Sequence, residues 1–253
     1  MNNRKDILKI LDEIQYIDMH IHLENYYKEE LGFHKSILFF ANSINQISYK
    51  KTLKLAEQIP NIIPSFGIHP MEASNCTIPQ ENMEKLMIGN DFIGEIGMDQ
   101  FWIEDTGTYG QQQKMFETQL SIIKKHKMIP TIHTKGAEEE ILELLIKYGI
   151  SNSIIHWYSG PLELIEKYLA LGCYFTIGPD IFSDSQVYKK IPLNRMFAET
   201  DNPTGIPWVI GGDPAIDDIK KVYGKLSQKL NKSEENLIVQ FKKNLSDLIK
   251  EIF

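Results

Sequence analysis

The stretch YIDMHIHLE, residues 16–24, places two histidines two positions apart in an otherwise apolar run. A short apolar run of this kind is typical of a buried β-strand. Residues i and i+2 of a strand face the same side, so His20 and His22 are expected to project together. Two interpretations are open for this pair alone. In the first, the two histidines form part of a metal site, because neutral imidazole is a frequent metal ligand. In the second, they are core histidines that form hydrogen bonds with each other or with the backbone.

Similar apolar runs recur along the chain and predict seven further strands. The eight predicted strands are residues 16–21, 36–41, 62–68, 92–97, 129–133, 153–157, 173–178 and 196–200. Segments of helical periodicity separate most of them, whereas the first connection, residues 23–35, shows little such periodicity. The predicted helices are residues 7–14, 46–59, 80–89, 110–127, 136–148, 161–171, 184–190, 214–230 and 233–252, the last with Ser233 as its N-cap.

This alternation of strands and helices predicts a parallel sheet with right-handed crossovers. Eight strands in about 250 residues match the size of a (β/α)₈ barrel. We therefore predict an α/β protein in which residues 1–253 form a single TIM-barrel domain. A short extra helix precedes the first strand, and a further helix ends the chain.

Composition narrows the classes of function. The chain has 253 residues and a net charge of −7, and only Arg4 and Arg195 of its 27 basic residues are arginine. Broad binding to duplex phosphates is therefore disfavoured, and lysine or metal must supply most anion binding. Cys76 and Cys173 lie far apart and form no CxxC motif, and the sequence shows neither a secretory signal nor an apolar run of membrane-spanning length. These features predict a cytoplasmic protein with no membrane association.

Further ionisable residues fall at the same end of their predicted strands as the histidine pair. Active sites of (β/α)₈ barrels lie at that end, and a lone buried charge is costly. Four histidines and two carboxylates match a site for two divalent ions, with Glu95 as the bridging ligand because the fourth strand holds no lysine. Zn, Mn and Co suit such ligands better than Mg does. The predicted metal ligands are His20, His22, Glu95, His133, His156 and Asp201.

His69 also ends a predicted strand, in the segment FGIHP. Two roles are open for it. In the first role, His69 contacts substrate or protonates a leaving group. In the second, it orders the loop before Pro70.

The ordered motifs DMHIH, GIHP, GEIGMD, IPTIHTKGA, IIHWYSG and ETDNP, from residue 18 to residue 203, resemble the TatD family of metal-dependent hydrolases. Glutamines 111–113, Phe116 and Asn244 also look family-like. The resemblance implies a TIM barrel whose hydrolytic site often acts on nucleic acid phosphodiesters. It implies that His20, His22 and Asp201 hold one ion, that His133 and His156 hold the other, and that Glu95 is shared.

The chain departs from the family pattern at two places. Lys135 stands where the family usually has arginine, which keeps the charge but loses the planar fork. The segment HWYSG replaces the usual HCFSG and places Trp157 and Tyr158 beside a ligand. We therefore expect His69, Lys135, Trp157 and Tyr158 to bind substrate.

Within the family, HWYSG together with LGCYFTIGP resembles the TatD-like component of Qat anti-phage defence systems. That resemblance implies other subunits as partners, namely a QueC-like enzyme, an ATPase and a further protein. It also implies a substrate other than plain DNA.

The expected reaction is hydrolysis assisted by two divalent metal ions, which lower the pKa of a bound water. Asp201 is expected to act as ligand and base, Glu95 as the catalytic bridge, and Glu199 and Asp18 to fix imidazole tautomers. The leading function is a deoxyribonuclease or other phosphodiesterase on single-stranded nucleic acid or nucleotide-like substrates. The alternatives are an amide or ester hydrolase on a modified base or peptide conjugate, and a noncatalytic subunit of a defence complex.

All three tryptophans fall at or beyond the carboxyl ends of predicted strands four, six and eight, at residues 102, 157 and 208. We expect them to ring the mouth of the barrel. Such a rim either stacks nucleobases or packs the loops onto the barrel top.

Overall fold

The computed structural model describes residues 4–102 and 106–251. Its eight strands are β1 (Tyr16–Ile21), β2 (Ile37–Asn42), β3 (Ile62–Ser65), β4 (Phe92–Gly97), β5 (Ile129–His133), β6 (Ile154–Ile155), β7 (Tyr174–Ile177) and β8 (Met196–Ala198). Every paired strand runs parallel to its neighbour, in the order β1-β2-β3 and then β4-β5-β6-β7-β8.

Ten α-helices are seen among the described residues. They are α1 (Arg4–Ile10), α2 (Lys28–Leu31), α3 (Gln46–Ala56), α4 (Gln80–Met87), α5 (Tyr109–His126), α6 (Glu138–Tyr148), α7 (Leu162–Ala170), α8 (Gly205–Ile210), α9 (Ile219–Leu230) and α10 (Glu234–Lys250). Short 3₁₀ turns supplement them, and α10 begins as predicted, with the Ser233 side chain accepting the Asn236 N–H.

Hydrogen bonds at the carboxyl ends of the strands close the two sheets into one barrel. Between β3 and β4, the Gly94 N–H donates to the Phe66 carbonyl at 3.2 Å. Between β8 and β1, the Asp201 N–H donates to the His20 carbonyl at 2.9 Å. The predicted (β/α)₈ barrel is therefore confirmed, and both closures involve segments that carry predicted site residues.

Several predicted segments differ from the structure. β3 ends at Ser65 because the Gln119 side chain takes over the backbone bonds of Ile68, accepting from its N–H at 2.8 Å and donating to its carbonyl at 3.2 Å. The predicted helix 184–190 is only a 3₁₀ turn, Val187–Lys189. α9 begins at Ile219 rather than at residue 214, because Asp218 accepts the Ala215 N–H and holds the preceding residues as a loop.

The ends of the chain and the first connection also differ in detail. α1 begins and ends earlier than the predicted 7–14, and only the last residue of the predicted 233–252 helix lies outside the described residues. The first connection holds only the four-residue α2, in agreement with its weak periodicity. Buried side chains from both ends of the chain, such as Ile7 and Leu248, join the same hydrophobic core.

Two glycines allow the backbones of neighbouring strands to approach closely below the site. A Cβ at Gly97 would lie 2.0 Å from the His133 carbonyl oxygen, and the φ of Gly97 is 144°. A Cβ at Gly67 would lie 2.5 Å from the Glu95 carbonyl oxygen. A side chain at Gly97 would push β4 away from β5, and one at Gly67 would push the segment that follows β3 away from β4.

Within residues 4–102 and 106–251, none of the helices combines the length and apolar character that crossing a bilayer requires.

Candidate metal centre

The six predicted ligands converge at the carboxyl end of the barrel. His20 and Glu95 lie within β1 and β4, and His133 is the last residue of β5. His156 directly follows β6, and Asp201 follows β8 by three residues. Asp201 adopts a left-handed backbone conformation, with φ of 50°, which aspartate tolerates better than most residues. The Asp201 N–H donates to the His20 carbonyl in β1, and the Asp201 carbonyl accepts the Gly205 N–H at 2.7 Å, so both backbone polar groups of Asp201 are hydrogen-bonded.

Four of these side chains form a first donor group around one point. The Nε2 atoms of His20 and His22 lie 3.3 Å apart. Glu95 Oε2 lies 3.3 Å from His20 Nε2 and 3.6 Å from His22 Nε2. Asp201 Oδ1 lies 3.6 Å and 3.3 Å from the same two nitrogens.

A second donor group surrounds the other oxygen of Glu95. Glu95 Oε1 lies 2.9 Å from His133 Nδ1, 3.5 Å from His69 Nε2 and 3.7 Å from His156 Nε2. One carboxylate therefore turns each of its oxygens towards a different set of imidazoles. His156 also lies close to the first group. Its ring stacks on the ring of His20, with the two ring centroids 3.7 Å apart.

The donor set fits divalent metal ions. Zinc binds histidine nitrogen and carboxylate oxygen at about 2.0–2.2 Å, so the edges of its tetrahedron are about 3.3–3.6 Å. The distances of 3.3 to 3.6 Å within the first group agree with that geometry. His20, Glu95 and Asp201 are all buried or nearly so, and burial of several ionisable groups at one point is costly unless they share a cation.

Hydrogen bonds on the far side of two rings assign the tautomers that metal binding needs. His22 Nδ1 donates to the Asn42 carbonyl at 3.0 Å, and His156 Nδ1 donates to Glu199 Oε2 at 2.9 Å. In its neutral form, with the proton on Nδ1, each ring would turn an unprotonated Nε2 towards a metal ion at the centre. The expectation that Glu199 orients an imidazole agrees with this contact.

Asp18 does not orient an imidazole, contrary to expectation. Its carboxylate accepts the Thr200 N–H at 3.0 Å and the Thr200 hydroxyl at 2.7 Å. His20 Nδ1 is left without a hydrogen-bond partner among the described residues. Asp18 therefore holds the segment that carries Glu199 and Asp201, rather than the ring of His20.

Sequence reasoning missed the role of Asp99. Its Oδ2 accepts a hydrogen bond from His133 Nε2 at 2.7 Å, which leaves Nδ1 to face Glu95. Its Oδ1 accepts the backbone N–H groups of Phe101 and Trp102, both at 2.7 Å. The clue in the sequence was the position of Asp99 at the end of the motif GEIGMD, two residues beyond β4.

His69 lies in the centre but has the wrong tautomer for a ligand. Its Nδ1 accepts the Met71 N–H at 3.2 Å as the N-cap of a 3₁₀ turn, so the proton of the neutral ring lies on Nε2. Nε2 faces Glu95 Oε1, and an N–H cannot bind a metal ion. His69 therefore orders the loop before Pro70 and also offers one hydrogen-bond donor to the centre, which combines the two roles left open by the sequence.

Without bound metal, the centre holds its charges as imidazolium–carboxylate pairs. Burial alone would lower the pKa of His22, but the hydrogen bond and charge of Asp201 raise it to about 10. Burial also opposes protonation of His133, yet Asp99 and Glu95 raise its pKa to about 9. Burial would raise the pKa of Glu95, but the surrounding histidines hold it well below its usual range.

The remaining histidine ligands stay neutral. Burial lowers the pKa of both His20 and His156, and the charge of neighbouring histidines lowers both pKa values further. Their rings stack face to face, an arrangement that two cationic rings would disfavour.

A cavity of about 730 Å³ opens above the donor groups. His69, Lys135 and Trp157 line it, together with Trp102 and Trp208. Lys135 Nζ donates to the Ser159 hydroxyl at 2.9 Å and lies 5.7 Å from the centre of the Phe101 ring. The three tryptophans lie at the mouth as expected.

Tyr158 does not lie beside this cavity, contrary to expectation. Its side chain is 1% exposed, packs against Tyr168 and Phe175, and donates its hydroxyl proton to the Pro161 carbonyl at 2.7 Å. The left-handed backbone of Trp157, with φ of 35°, brings Trp157 to the cavity, while the next residue points into the core.

Fold and site together define the protein as a (β/α)₈ barrel with a histidine–carboxylate donor set at the carboxyl end of its strands. A comparison with known protein families identifies the family to which this barrel belongs. Residues 17–250 match the family described as TatD related DNase. The chain belongs to this family.

Individual relatives are distant and align over part of the chain. A protein of Bacillus subtilis named an uncharacterized metal-dependent hydrolase, YabD, is 26% identical over 163 residues, 60% of this chain and 63% of the relative. The human deoxyribonuclease TATDN3 is 24% identical over 173 residues, 61% of this chain and 63% of the relative. The chain thus aligns with less than two thirds of the length of these relatives.

A solved structure shows the same fold over nearly the whole chain. The crystal structure of YjjV, a TatD homolog from Escherichia coli, superposes with a TM-score of 0.82 at 19% identity and covers 92% of this chain and 97% of its own.

We predict that metal binding at pH 7 releases protons, because His22 and His133, with pKa values of about 10 and about 9, must become neutral to bind. Affinity for Zn²⁺ should therefore rise as the pH is raised from 6 to 9. Calorimetric titration of the metal-free protein in two buffers of different ionisation enthalpy measures the released protons.

A histidine outside the centre provides the control for that titration. His34→Gln should release as many protons as the wild type, whereas His22→Gln should release fewer. Binding without proton release at pH 7 would contradict the assignment of these imidazolium–carboxylate pairs.

Proposed function

We propose that the protein is a metal-dependent phosphodiesterase that acts on single-stranded DNA or nucleotide-like substrates with two divalent ions. The observation that carries the proposal is the position of Glu95, whose Oε2 faces His20 and His22 while its Oε1 faces His133 and His156. A carboxylate shared in this way suits a pair of ions, and Zn, Mn or Co suits these ligands better than Mg.

His20, His22 and Asp201 would hold one ion, His133 and His156 the other, with Glu95 between them. Ions bound at these positions would supply Lewis acidity, lower the pKa of a water and neutralise charge that develops on a phosphoryl group. The residues of the chain supply orientation and proton transfer. Asp201 stays ionised, since its hydrogen bond from His22 and the nearby histidine charges hold its pKa below the usual value against the effect of burial. It is therefore placed to orient the attacking water and take its proton.

His69 and Lys135 face the space where a substrate would lie. The His69 Nε2–H is locked as a donor by the Met71 N–H on the opposite nitrogen, so it can bond a phosphoryl or leaving-group oxygen. Lys135 Nζ, with one bond to Ser159, supplies a positive charge at the cavity wall. Trp157 would contact the organic part of the substrate.

The relatives support a nucleic acid substrate. The matching family is described as TatD related DNase, and the human relative is named a deoxyribonuclease. A cytoplasmic location belongs to the same proposal and is supported by the free state of Cys76 and Cys173. We further infer assembly with other subunits of a Qat-type defence system, which rests on the segments HWYSG and LGCYFTIGP alone.

We predict that single-stranded DNA is hydrolysed by the metal-loaded protein, that EDTA abolishes the reaction and that added Zn²⁺ or Mn²⁺ restores it. Glu95→Ala should lower turnover by at least about 1,000-fold, because it removes a ligand from both donor groups at once. Release of nucleotides from a labelled oligonucleotide measures the rate.

Glu117→Gln is the matched control, since Glu117 lies on α5 and bonds Lys147 and Tyr148 away from the centre. Its rate should equal that of the wild type. Hydrolysis of p-nitrophenyl acetate but of no phosphate diester would replace the phosphodiesterase proposal with an esterase. Full activity of Glu95→Ala would overturn the proposed role of the centre.

His69→Ala should lower turnover by at least about 100-fold while the bound metal, measured by elemental analysis, stays at the wild-type level. The reason is that His69 offers a donor proton and no free lone pair to the centre. His34→Ala is the control histidine variant. Loss of one metal ion from His69→Ala would show that His69 is a ligand and that the assigned tautomer is wrong.

A further inference from the structure

The three tryptophans of the chain form an arch over the metal centre. Trp102 follows β4, Trp157 follows β6 and Trp208 lies on α8, beyond β8. The rings of Trp102 and Trp208 meet edge to face with centroids 5.1 Å apart, and those of Trp157 and Trp208 lie 5.8 Å apart. We call these three residues the tryptophan arch.

The arch spans the mouth of the barrel. In a closed barrel of eight strands in sequential order, β4 and β8 lie on opposite sides. The contact between Trp102 and Trp208 therefore crosses the opening. All three indoles line the cavity that also exposes His22, Glu95 and Asp201.

The exposure of the arch separates it from ordinary loop packing. Trp102 is 57% exposed, Trp208 is 59% exposed and Trp157 is half-buried, whereas the core aromatics Tyr158 and Phe175 are 1% and 0% exposed. Residues that pack a loop onto a barrel bury their rings. The indoles of the arch touch one another and leave apolar surface open to a ligand.

Hydrogen bonds hold the backbone at each end of the arch. The Asp99 carboxylate, which also orients His133, accepts the backbone N–H of Trp102. The backbone N–H of Trp157 donates to the Thr176 hydroxyl at 3.0 Å, and the Trp157 ring fits against Gly178, where a Cβ would lie 3.1 Å from Cγ. Preformed aromatic surfaces lose little conformational entropy on binding.

Charge around the cavity indicates what the arch binds. Among the described residues that line it, Lys135 is the one lysine or arginine, and Glu24 and Asp180 add negative charge outside the donor groups. Away from the metal centre, a run of phosphates would find a single cationic side chain on the walls, so the walls suit a ligand with one phosphate beside an aromatic group.

We propose that the tryptophan arch binds one unpaired nucleobase by stacking, with Lys135 beside the phosphate attached to it. The inference rests on the proposed function, because it assigns the substrate of that same centre. Bases within a duplex already stack on their neighbours, so the arch selects free single-stranded ends and very short oligonucleotides. Most of the affinity then comes from stacking of the base. The logarithm of the affinity should fall only weakly with the logarithm of the salt concentration, with the slope expected for one phosphate contact.

Intrinsic fluorescence tests the arch directly, since all 3 tryptophans of the chain belong to it. The metal-loaded protein is titrated with deoxyadenosine 5′-phosphate and with deoxyribose 5-phosphate, which has the same phosphate but no base. Competition against the first ligand gives the affinity of the second. The nucleotide should quench the fluorescence and bind at least about five-fold tighter, the smallest gain expected from one stacked base.

Variants test whether the arch causes the preference for the nucleotide. Trp208→Ala should remove the preference for the nucleotide and leave the affinity for deoxyribose 5-phosphate unchanged, while Trp208→Phe keeps most of the preference. Phe33→Ala, which removes an exposed aromatic outside the cavity, should behave as the wild type. Equal affinity of the wild type for both ligands would overturn the proposal, as would a folded, metal-loaded Trp208→Ala that keeps the preference.

The two proposals fail in different ways. A wild type that prefers the nucleotide yet hydrolyses no phosphodiester would refute the proposed function and leave the arch as a base-binding site. A wild type that hydrolyses phosphodiesters without preferring the nucleotide would refute the arch alone.

Discussion

The structure depends on one buried carboxylate. Glu95 is 2% exposed and lies among five imidazoles, of which two face its Oε2 and three face its Oε1, all at 3.7 Å or less. Burial of an ionised carboxylate is unfavourable unless cations or hydrogen bonds compensate for it. In the metal-free protein, imidazolium groups provide that compensation, and divalent ions would replace the same positive charge. The barrel therefore holds strongly interacting groups in place before any substrate binds.

The surrounding polar residues orient the ligands. The Asn42 carbonyl, Glu199 and Asp99 each fix the ring of one histidine. Asp18 fixes the backbone of the segment that carries Asp201 through its two bonds to Thr200. Asp99 also holds the loop that bears Trp102, so one side chain connects the metal ligands to the mouth of the cavity. Orientation of this kind typically changes metal affinity by about 10–100-fold.

Much of the barrel could be predicted from sequence because strands buried on both faces read as apolar runs between helices of regular period. His20, Glu95 and His133 were identifiable because an ionisable residue at the end of such a run is unusual. The carbonyl of Asn42 could not be found, since every residue carries one. The tautomer of His69 depends on the backbone of a 3₁₀ turn, and the inward direction of Tyr158 depends on the left-handed conformation of Trp157. Such features follow from three-dimensional context and leave no pattern in the sequence.

We propose that Glu95 would hold two divalent ions, one on each of its oxygens. Crystals of the zinc-loaded protein, measured on both sides of the zinc absorption edge, test it most directly. We expect two anomalous peaks, one between His20, His22, Asp201 and Glu95 Oε2, and one between His133, His156 and Glu95 Oε1. A single peak, or zinc bound away from Glu95, would contradict the account.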